Sequence, residues 1–203
     1  MRKYLLIFIS IIICVCVSGC TARVKNTGSG GTNIICFGNS ITYGQGAEAD
    51  QAYPFFLGEM VKRNVINSGA PGETSEDALE RIDEDVLQAD PYIVIIEFGA
   101  NDYFQRLPEE RTIVNLEAMI DRIHDRGAMV ALCDISGGSL FGIYNIYHDE
   151  LKDLAKRKEA IFVPYLMKGI MTDPDLRSDK IHPNAEGYKI IAQRVYRAIE
   201  PYL

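Results

Sequence analysis

The chain has 203 residues, of which 47% are hydrophobic and 24% are charged, with 17 glycines and 8 prolines. These proportions exclude a disordered, collagen-like or disulfide-stapled protein. Acidic residues outnumber Lys and Arg and give a formal net charge of −7. This balance excludes a typical nucleic-acid-binding protein, because such proteins place clustered Lys and Arg against phosphates.

The N-terminus has the pattern of an export signal. The basic start MRK precedes an apolar run at 4–17, YLLIFISIIICVCV, which is short for a membrane span and has signal-peptide proportions. The segment that follows Cys20, TARVKNTGSGGTN, is small and polar without an apolar period, which predicts a flexible tether. We therefore expect a signal peptide at 1–19, a tether at 20–32 and one folded domain at 33–203.

Residues 17–20, VSGC, resemble the bacterial lipobox. The resemblance implies cleavage before Cys20 and acylation of this cysteine, and the attached chains would hold the protein at the membrane of a bacterial cell envelope. Thr21 rather than Asp follows the cysteine, which in a Gram-negative source resembles outer-membrane sorting. The alternative is an uncleaved membrane helix in which Cys20 is incidental.

The cysteines and lone histidines of the expected domain do not predict a metal site. Cys36 and Cys133 lie inside apolar runs, and we expect both to be inert thiols of the core. A disulfide between them would need adjacent strands with suitable Cβ geometry. His124 in a helical segment and His148 in a polar one are expected to be solvated. The sequence has no CxxC motif and no cluster of His and Cys, so no metal is expected.

From residue 33 onward, short apolar runs alternate with longer segments of helical period. This alternation is typical of a parallel sheet with crossover helices in one α/β domain. The predicted strands cover 33–37, 64–67, 92–98, 129–135 and 161–163, and the predicted helices cover 75–88, 108–126 and 185–199. In such sheets, ligands bind beyond the carboxyl ends of the strands.

Three polar segments are placed to reach that edge. Ser40 follows the first strand, Asn101 follows the third, and Asp179 and His182 precede the last helix. Each segment also has an ordinary structural explanation, because Ser40 and Asn101 fit turns and the Asp–His pair fits a helix cap beside a surface imidazole. The topology sends all three to one edge of the sheet, which favours a shared site.

In this order the segments resemble the four blocks of the SGNH or GDSL-type serine hydrolases. The blocks are GNS at 38–40, GETS at 72–75, GAND at 99–102 and DKIH at 179–182. The resemblance runs from about 33 to 195 and is closest to the lysophospholipases, acyl-thioesterases and arylesterases, through the segments QAYP, EFGAND and HPNAEG. It implies a flavodoxin-like three-layer α/β/α sandwich with a five-stranded parallel sheet.

The resemblance also implies a serine-hydrolase mechanism without a cofactor. Ser40 would attack the acyl carbon, His182 would act as general base and then as general acid, and Asp179 would orient His182. The oxyanion would be bound by the backbone N–H groups of Ser40 and Gly72 and by the side-chain amide of Asn101.

Two departures from the family pattern bear on the site. Asn39 replaces the aspartate of the first block, so we expect altered rigidity or pH behaviour of the turn, with the reaction retained. The segment SGGSLFG at 136–142 replaces a Pro-rich loop. Its apolar side chains, such as Leu140 and Phe141, would line an acyl groove or pack down as a lid.

The sequence therefore favours a serine esterase that hydrolyses acyl ester bonds of small molecules or lipids at the cell envelope. A carbohydrate O-acetylesterase is the second hypothesis, because the same fold hosts deacetylases of polysaccharides. A non-catalytic surface lipoprotein that binds glycan or lipid is the third. It would require at least one broken block, whereas all four blocks are intact.

Overall fold

The structure is a computed structural model that describes residues 23–136 and 147–203. Strands and helices alternate along these residues. The strands are β1 (Asn33–Gly38), β2 (Asn64–Gly69), β3 (Pro91–Glu97), β4 (Met129–Cys133) and β5 (Ile161–Val163). The helices are α1 (Ser40–Tyr43), α2 (Tyr53–Met60), α3 (Ser75–Ile82), α4 (Ala100–Phe104), α5 (Glu109–Asp125), α6 (His148–Arg157) and α7 (Ala185–Ile199).

The five strands form one parallel sheet in the order β2-β1-β3-β4-β5. In the register of the sheet, Ile35 of β1 pairs with Ile66 of β2 on one side and with Val94 of β3 on the other. The predicted five-stranded parallel sheet is confirmed, and each strand begins within one residue of its predicted start. The strand β4 ends at Cys133, two residues early, because the Asp134 carboxylate accepts the backbone N–H of Ser136 and turns the chain.

Helices cover both faces of the sheet, which gives the three predicted layers. Successive side chains of a strand point to opposite faces. Accordingly, Ile34 and Cys36 join an apolar cluster with α2 and α7. Ile35 and Phe37 join the cluster of α3, α5 and α6 on the other face. All four side chains are fully buried, as expected for a parallel strand that is covered on both sides.

The two cysteines of the domain are buried and unpaired. Cys36 lies on β1 and Cys133 on β4, and β3 separates these strands. Burial raises the pKa of the Cys36 thiol to about 12, although the hydroxyl of Tyr53 offsets part of the effect. Both cysteines are therefore protonated thiols of the core, as the sequence predicts, rather than nucleophiles.

Residues 23–32 lie against the amino edge of the sheet. The backbone N–H of Lys25 donates to the carbonyl of Glu159 at 2.8 Å, and the Asn26 amide donates to the carbonyls of His124 and Ala128 at 2.9 Å each. The described part of the predicted tether is therefore bound to the domain. In either described range, no helix is both long and apolar enough to cross a bilayer.

Substitution of Gly69, at the end of β2, and of Gly58, in α2, should have opposite effects on stability. A Cβ on Gly69 would lie 2.1 Å from the backbone nitrogen of Tyr43, so β2 and α1 would have to separate. A Cβ on Gly58, inside α2, would lie 3.8 Å from Val65, an ordinary contact. We expect Gly69→Ala to lower the free energy of unfolding by roughly 1–3 kcal/mol. Gly58→Ala should raise it by up to about 1 kcal/mol, because alanine favours the helix. Urea denaturation measures both, and equal effects would contradict the contact.

Candidate active site

The turn after β1 presents Ser40 at the first position of α1. Its conformation needs a glycine at 38, because a Cβ there would lie 2.1 Å from the Thr42 hydroxyl oxygen and 2.8 Å from the Glu97 carbonyl oxygen. The Asn39 side-chain oxygen accepts the backbone N–H of Ile41 at 3.0 Å and caps the helix. This capped turn fixes the position of Ser40 at the carboxyl edge of the sheet.

Ser40, His182 and Asp179 form a continuous hydrogen-bonded chain. The Ser40 Oγ lies 3.1 Å from His182 Nε2, and His182 Nδ1 lies 2.8 Å from Asp179 Oδ2. The other Asp179 oxygen accepts the backbone N–H groups of Ile181 and His182 at 2.7 and 2.8 Å. The structure thus brings together the three residues that the sequence predicts, although 142 positions separate Ser40 from His182.

The surroundings of Asp179 keep its carboxylate charged. Partial burial raises its pKa, but hydrogen bonds from the His182 ring and from the Ile181 backbone outweigh this effect and hold the pKa below its ordinary value. A charged carboxylate accepts the Nδ1–H of a neutral imidazole. Nε2 is then left without a proton, so it accepts the hydroxyl of Ser40 as a general base must.

Asn101 lies beside the turn that contains Gly72. Its side-chain amide donates to the Glu73 carbonyl at 2.7 Å, and Asn101 lines the same pocket as Ser40 and His182. A side-chain amide carries two N–H groups, so this bond fixes the amide and leaves one N–H for a substrate oxygen. Gly72, with a φ of +86°, turns the chain immediately before Glu73.

Two residues outside the predicted site brace this turn. The guanidinium of Arg81 pairs with the Glu73 carboxylate at 2.6 Å and donates to the carbonyls of Gly38 and Ser68. Asp102 is fully buried, and its carboxylate accepts the backbone N–H of Ser75 at 3.0 Å. Asp102 could have been found from its place in the GAND block, whereas the partners of Arg81 follow only from the fold.

A buried carboxyl group lies directly beneath the nucleophile turn. The Glu97 side chain is fully buried and accepts hydrogen bonds from the Asn39 amide at 3.2 Å and from the Thr42 hydroxyl at 3.0 Å. Burial raises its pKa to about 7, against these hydrogen bonds, which lower it. The amide of Asn39 thus both caps α1 and donates to Glu97, and the second of these roles requires an N–H that an ionised aspartate lacks.

The prediction that His124 is solvated is wrong. His124 is 4% exposed, because it lies four residues after Ile120 on the buried face of α5. Its Nε2 has no hydrogen-bond partner among the described residues. Burial, together with the nearby charge of Lys25, lowers its pKa to about 4. The residue is therefore a neutral part of the core, and the helical period of α5 carries the signal for this.

The prediction for His148 is wrong as well. Its side chain is 14% exposed, and Nδ1 lies 2.6 Å from Asp134 Oδ2. The ring stacks on Tyr165 with centroids 4.5 Å apart. This is a second Asp–His pair, but the nearby Ser136 hydroxyl donates to the Asp134 carboxylate rather than to the imidazole. Within the described ranges, this pair therefore activates no serine hydroxyl.

Ser40 and His182 open into a small, mainly apolar pocket with a volume of about 70 Å³. Its apolar lining consists of Ile41, Ala100, Phe104, Ile135, Met167, Met171 and Ile181. The predicted acyl-groove or lid residues at 140–144, and Cys20, lie outside the described residues. In the described ranges, no three His, Cys, Asp or Glu side chains converge as metal ligands would. The arrangement offers a nucleophile, a base and an apolar surface for a substrate.

Comparison with known proteins identifies the family. Residues 36–190 match the GDSL-like Lipase/Acylhydrolase family. The chain belongs to this family. An arylesterase of Vibrio mimicus is 26% identical over 178 residues, which cover 84% of this chain and 89% of the relative. Thioesterase 1/protease 1/lysophospholipase L1 of Escherichia coli strain K12 is 25% identical over 173 residues, which cover 83% of each chain.

A solved structure gives the same result for the fold. The crystal structure of the psychrotrophic esterase EstA from a Pseudoalteromonas species, inhibited by monoethylphosphonate, is 26% identical with a TM-score of 0.75. The match covers 84% of this chain and 98% of that chain. The resemblance found in the sequence is therefore confirmed. The protein is a GDSL-type esterase, and its reaction is the hydrolysis of acyl esters.

The position of Asn101 predicts a loss of turnover without loss of the fold. Removing one oxyanion donor costs about 3 kcal/mol, or roughly a hundredfold or more in kcat, and we expect Asn101→Ala to show this loss. The matched control is Asn115→Ala, which removes an amide that donates to Ser75 Oγ and does not line the pocket. It should retain kcat within about threefold. Steady-state kinetics test this, and an unchanged rate in Asn101→Ala would remove the residue from the site.

The buried Glu97 predicts a pH-dependent stability. Its pKa rises from an ordinary value of 4.5 to about 7 in the folded protein, so the folded state holds the proton more tightly between these values. The stabilisation is complete below about pH 4.5 and is lost, by about 3 kcal/mol, as the pH rises to about 7. Glu97→Gln should remove this dependence, because glutamine does not titrate.

Denaturant unfolding at a series of pH values measures the effect. The exposed Glu59→Gln is the control, and its curve should run parallel to that of the native chain. Parallel curves for Glu97→Gln and the native chain would show that Glu97 does not carry the dependence.

Proposed function

We propose that Ser40, His182 and Asp179 hydrolyse carboxylic esters through an acyl-enzyme intermediate. The observation that carries this proposal is the hydrogen-bonded chain from Ser40 Oγ through both ring nitrogens of His182 to Asp179. A serine hydroxyl is a weak nucleophile without a base, and this chain supplies the base in its required tautomer.

In the first half-reaction, Ser40 Oγ attacks the acyl carbon while its proton passes to His182 Nε2. The imidazolium that forms is stabilised by the Asp179 carboxylate. The oxyanion receives hydrogen bonds from the backbone N–H groups of Ser40 and Gly72 and from the free N–H of Asn101. Collapse of the intermediate breaks the ester bond, and His182 gives its proton to the departing alcohol.

In the second half-reaction, water replaces the alcohol. His182 Nε2 removes a proton from water, the resulting hydroxide attacks the acyl carbon, and the same donors bind the second oxyanion. The bond to Ser40 Oγ then breaks, and the proton returns from His182 to the serine. The products are the carboxylic acid and the regenerated enzyme.

The apolar lining of the pocket supports an acyl group, rather than a sugar, as the part of the substrate that enters it. Phe104, Met167 and Met171 offer hydrocarbon and thioether surface beside Ser40, and burying each methylene group contributes about 0.8 kcal/mol. The relatives named arylesterase and thioesterase/lysophospholipase support small acyl esters or lipids as the substrate class. Envelope polysaccharides that carry acetyl groups are the alternative.

We also propose that the mature protein is anchored to a bacterial membrane through acylated Cys20. The support is the basic and apolar leader followed by VSGC at 17–20. Three acyl chains would hold the protein firmly, because stable anchoring needs about two. Removal of Arg2 and Lys3 with the leader makes the remaining chain more acidic, so attraction to anionic lipids does not replace the anchor.

A series of p-nitrophenyl esters from acetyl to palmitoyl tests the proposed reaction. We expect Ser40→Ala to lower kcat by at least about 10⁴-fold on every ester, with the distant Ser29→Ala unchanged. An ethylphosphonate reagent should add one covalent group, on the peptide that contains Ser40. An optimum at medium or long chains supports a lipid esterase, and a sharp acetyl optimum supports the carbohydrate O-acetylesterase. A folded protein that is inactive on every ester would favour the non-catalytic binding lipoprotein.

A further inference from the structure

Residues 23–32, which we call the strap, run along the amino edge of the sheet from β5 to β1. The backbone N–H of Lys25 donates to Glu159, just before β5. The Asn26 amide donates to Ala128, just before β4. Thr32 donates through its backbone N–H and its hydroxyl to Asp90, just before β3. The strap therefore crosses the starts of three strands before the chain enters β1.

The strap is attached at its ends and in its middle. Val24 packs against the apolar cluster of α2 and α7. The Asn26 amide also donates to the carbonyl of His124 in the last turn of α5, which accepts the backbone N–H of Gly127 as well. At Gly31 the backbone runs so close to β3 that a Cβ would lie 2.1 Å from the Pro91 carbonyl oxygen. These contacts remove the conformational freedom that an unattached linker would have.

The strap limits where Cys20 can lie. Three residue steps separate Cys20 from Arg23, and at about 3.6 Å for each step the covalent reach is at most roughly 11 Å. Strand β1 has six residues, which span about 20 Å between the amino edge and the edge that carries Ser40. Lys25 is bound beside β5, three strand spacings or about 14 Å from β1. Ser40 therefore lies about 20 Å along the strands and about 14 Å across the sheet from the point where Lys25 is bound, and Cys20 cannot reach it.

We propose that the mouth of the catalytic pocket faces away from the membrane that holds Cys20, so that the natural substrates are esters arriving from the aqueous phase. Lipids of the anchoring membrane are then excluded as substrates. The inference rests on the proposed esterase function and on acylation of Cys20, and it adds the direction from which a substrate arrives. Esters on soluble molecules or on an envelope polymer meet this condition.

The exposed apolar residues at the mouth of the pocket are consistent with substrates that arrive from the aqueous phase. Phe104 and Ile181 line the pocket and are 42% and 40% exposed. They lie at the edge of the sheet opposite the strap, where the anchoring bilayer does not cover them. An acyl group of an incoming ester can contact them on its way to Ser40. A second membrane that faces the pocket is the other apolar surface they could meet, and the experiment separates the two.

The test uses the full lipidated chain in phosphatidylcholine vesicles, with Cys20→Ser as the unanchored control. Soluble p-nitrophenyl butyrate measures intrinsic activity, and p-nitrophenyl palmitate is placed in the same vesicles as the enzyme or in separate ones. Anchoring beside an accessible substrate raises its effective concentration and would raise the rate by roughly a hundredfold or more. We expect the anchored chain to hydrolyse palmitate less than about threefold faster than Cys20→Ser, whether the palmitate is in the same vesicles or in separate ones. The two proteins should hydrolyse the butyrate ester at equal rates.

A lengthened tether gives the opposite expectation. Inserting about 30 Gly and Ser residues between 22 and 23 leaves the strap intact and adds roughly 30 Å of mean reach, enough for the domain to turn over. This variant should hydrolyse palmitate of its own vesicle at least about tenfold faster than the native chain. No gain in this variant would overturn the proposal, because the short reach would then not be what keeps the pocket from the membrane.

Other outcomes are distinguishable. If the native anchored chain hydrolyses palmitate of its own vesicle much faster than Cys20→Ser does, the proposed orientation is overturned. If its rate rises only when the palmitate is in separate vesicles, a facing membrane is the source of the substrate, and this also overturns the proposal. If the native chain does not float with vesicles but hydrolyses the butyrate ester, the anchor and the orientation fail while the esterase stands. Absence of hydrolysis of the butyrate ester overturns the proposed function and the orientation with it.

Discussion

The pairing of β1 with β3 is the constraint on which the site depends. β1 carries the turn that holds Ser40, and β3 carries Glu97, followed by Asn101. Glu97 accepts hydrogen bonds from the Asn39 amide and the Thr42 hydroxyl across this pairing, so the turn that holds Ser40 is attached to the strand that leads to Asn101. After a register shift at Asn33, the parallel strands β1 and β3 pair residue by residue from Ile34–Ile93 to Gly38–Glu97, so the two turns emerge at the same level. The pairing of the two strands therefore sets the position of Ser40 relative to Asn101.

This arrangement places a carboxyl group in a fully buried position, which costs free energy. Burial opposes the charged form, which is why the pKa of Glu97 rises to about 7. Two uncharged side-chain donors, the Asn39 amide and the Thr42 hydroxyl, offset part of the cost. A well-satisfied polar network in a low-dielectric interior is rigid, so Glu97 holds the turn of Ser40 in place. Its burial lowers the free energy of unfolding near neutral pH. Arg81 and Asp102 brace the neighbouring turn through hydrogen bonds to the backbone of Gly38, Ser68 and Ser75.

Much of the fold could be predicted because solid apolar runs mark strands that are covered on both faces. Helix α2, with the sequence YPFFLGEM, was missed because its apolar residues do not follow one stripe, and the ten-residue α6 was missed because it is short. The triad was predictable from its blocks. The Asn39–Glu97 and Asp134–His148 bonds were not, since they join residues 58 and 14 positions apart through the fold. The strap was missed because a Gly, Ser and Asn composition predicts flexibility, whereas its attachment relies on backbone groups and one amide.

The parallel topology that brings the site residues together also determines at which edge of the sheet the N-terminal segment is attached. In a parallel sheet every strand starts at one edge and ends at the other, so the chemistry collects at the carboxyl edge while the chain enters β1 from the amino edge. Any attachment N-terminal to β1 therefore begins on the side opposite Ser40. A long linker would cancel this consequence, because the domain could turn over. The bonds of Lys25, Asn26 and Thr32 remove that freedom, and the proposed anchor at Cys20 would therefore lie on the side of the sheet opposite Ser40.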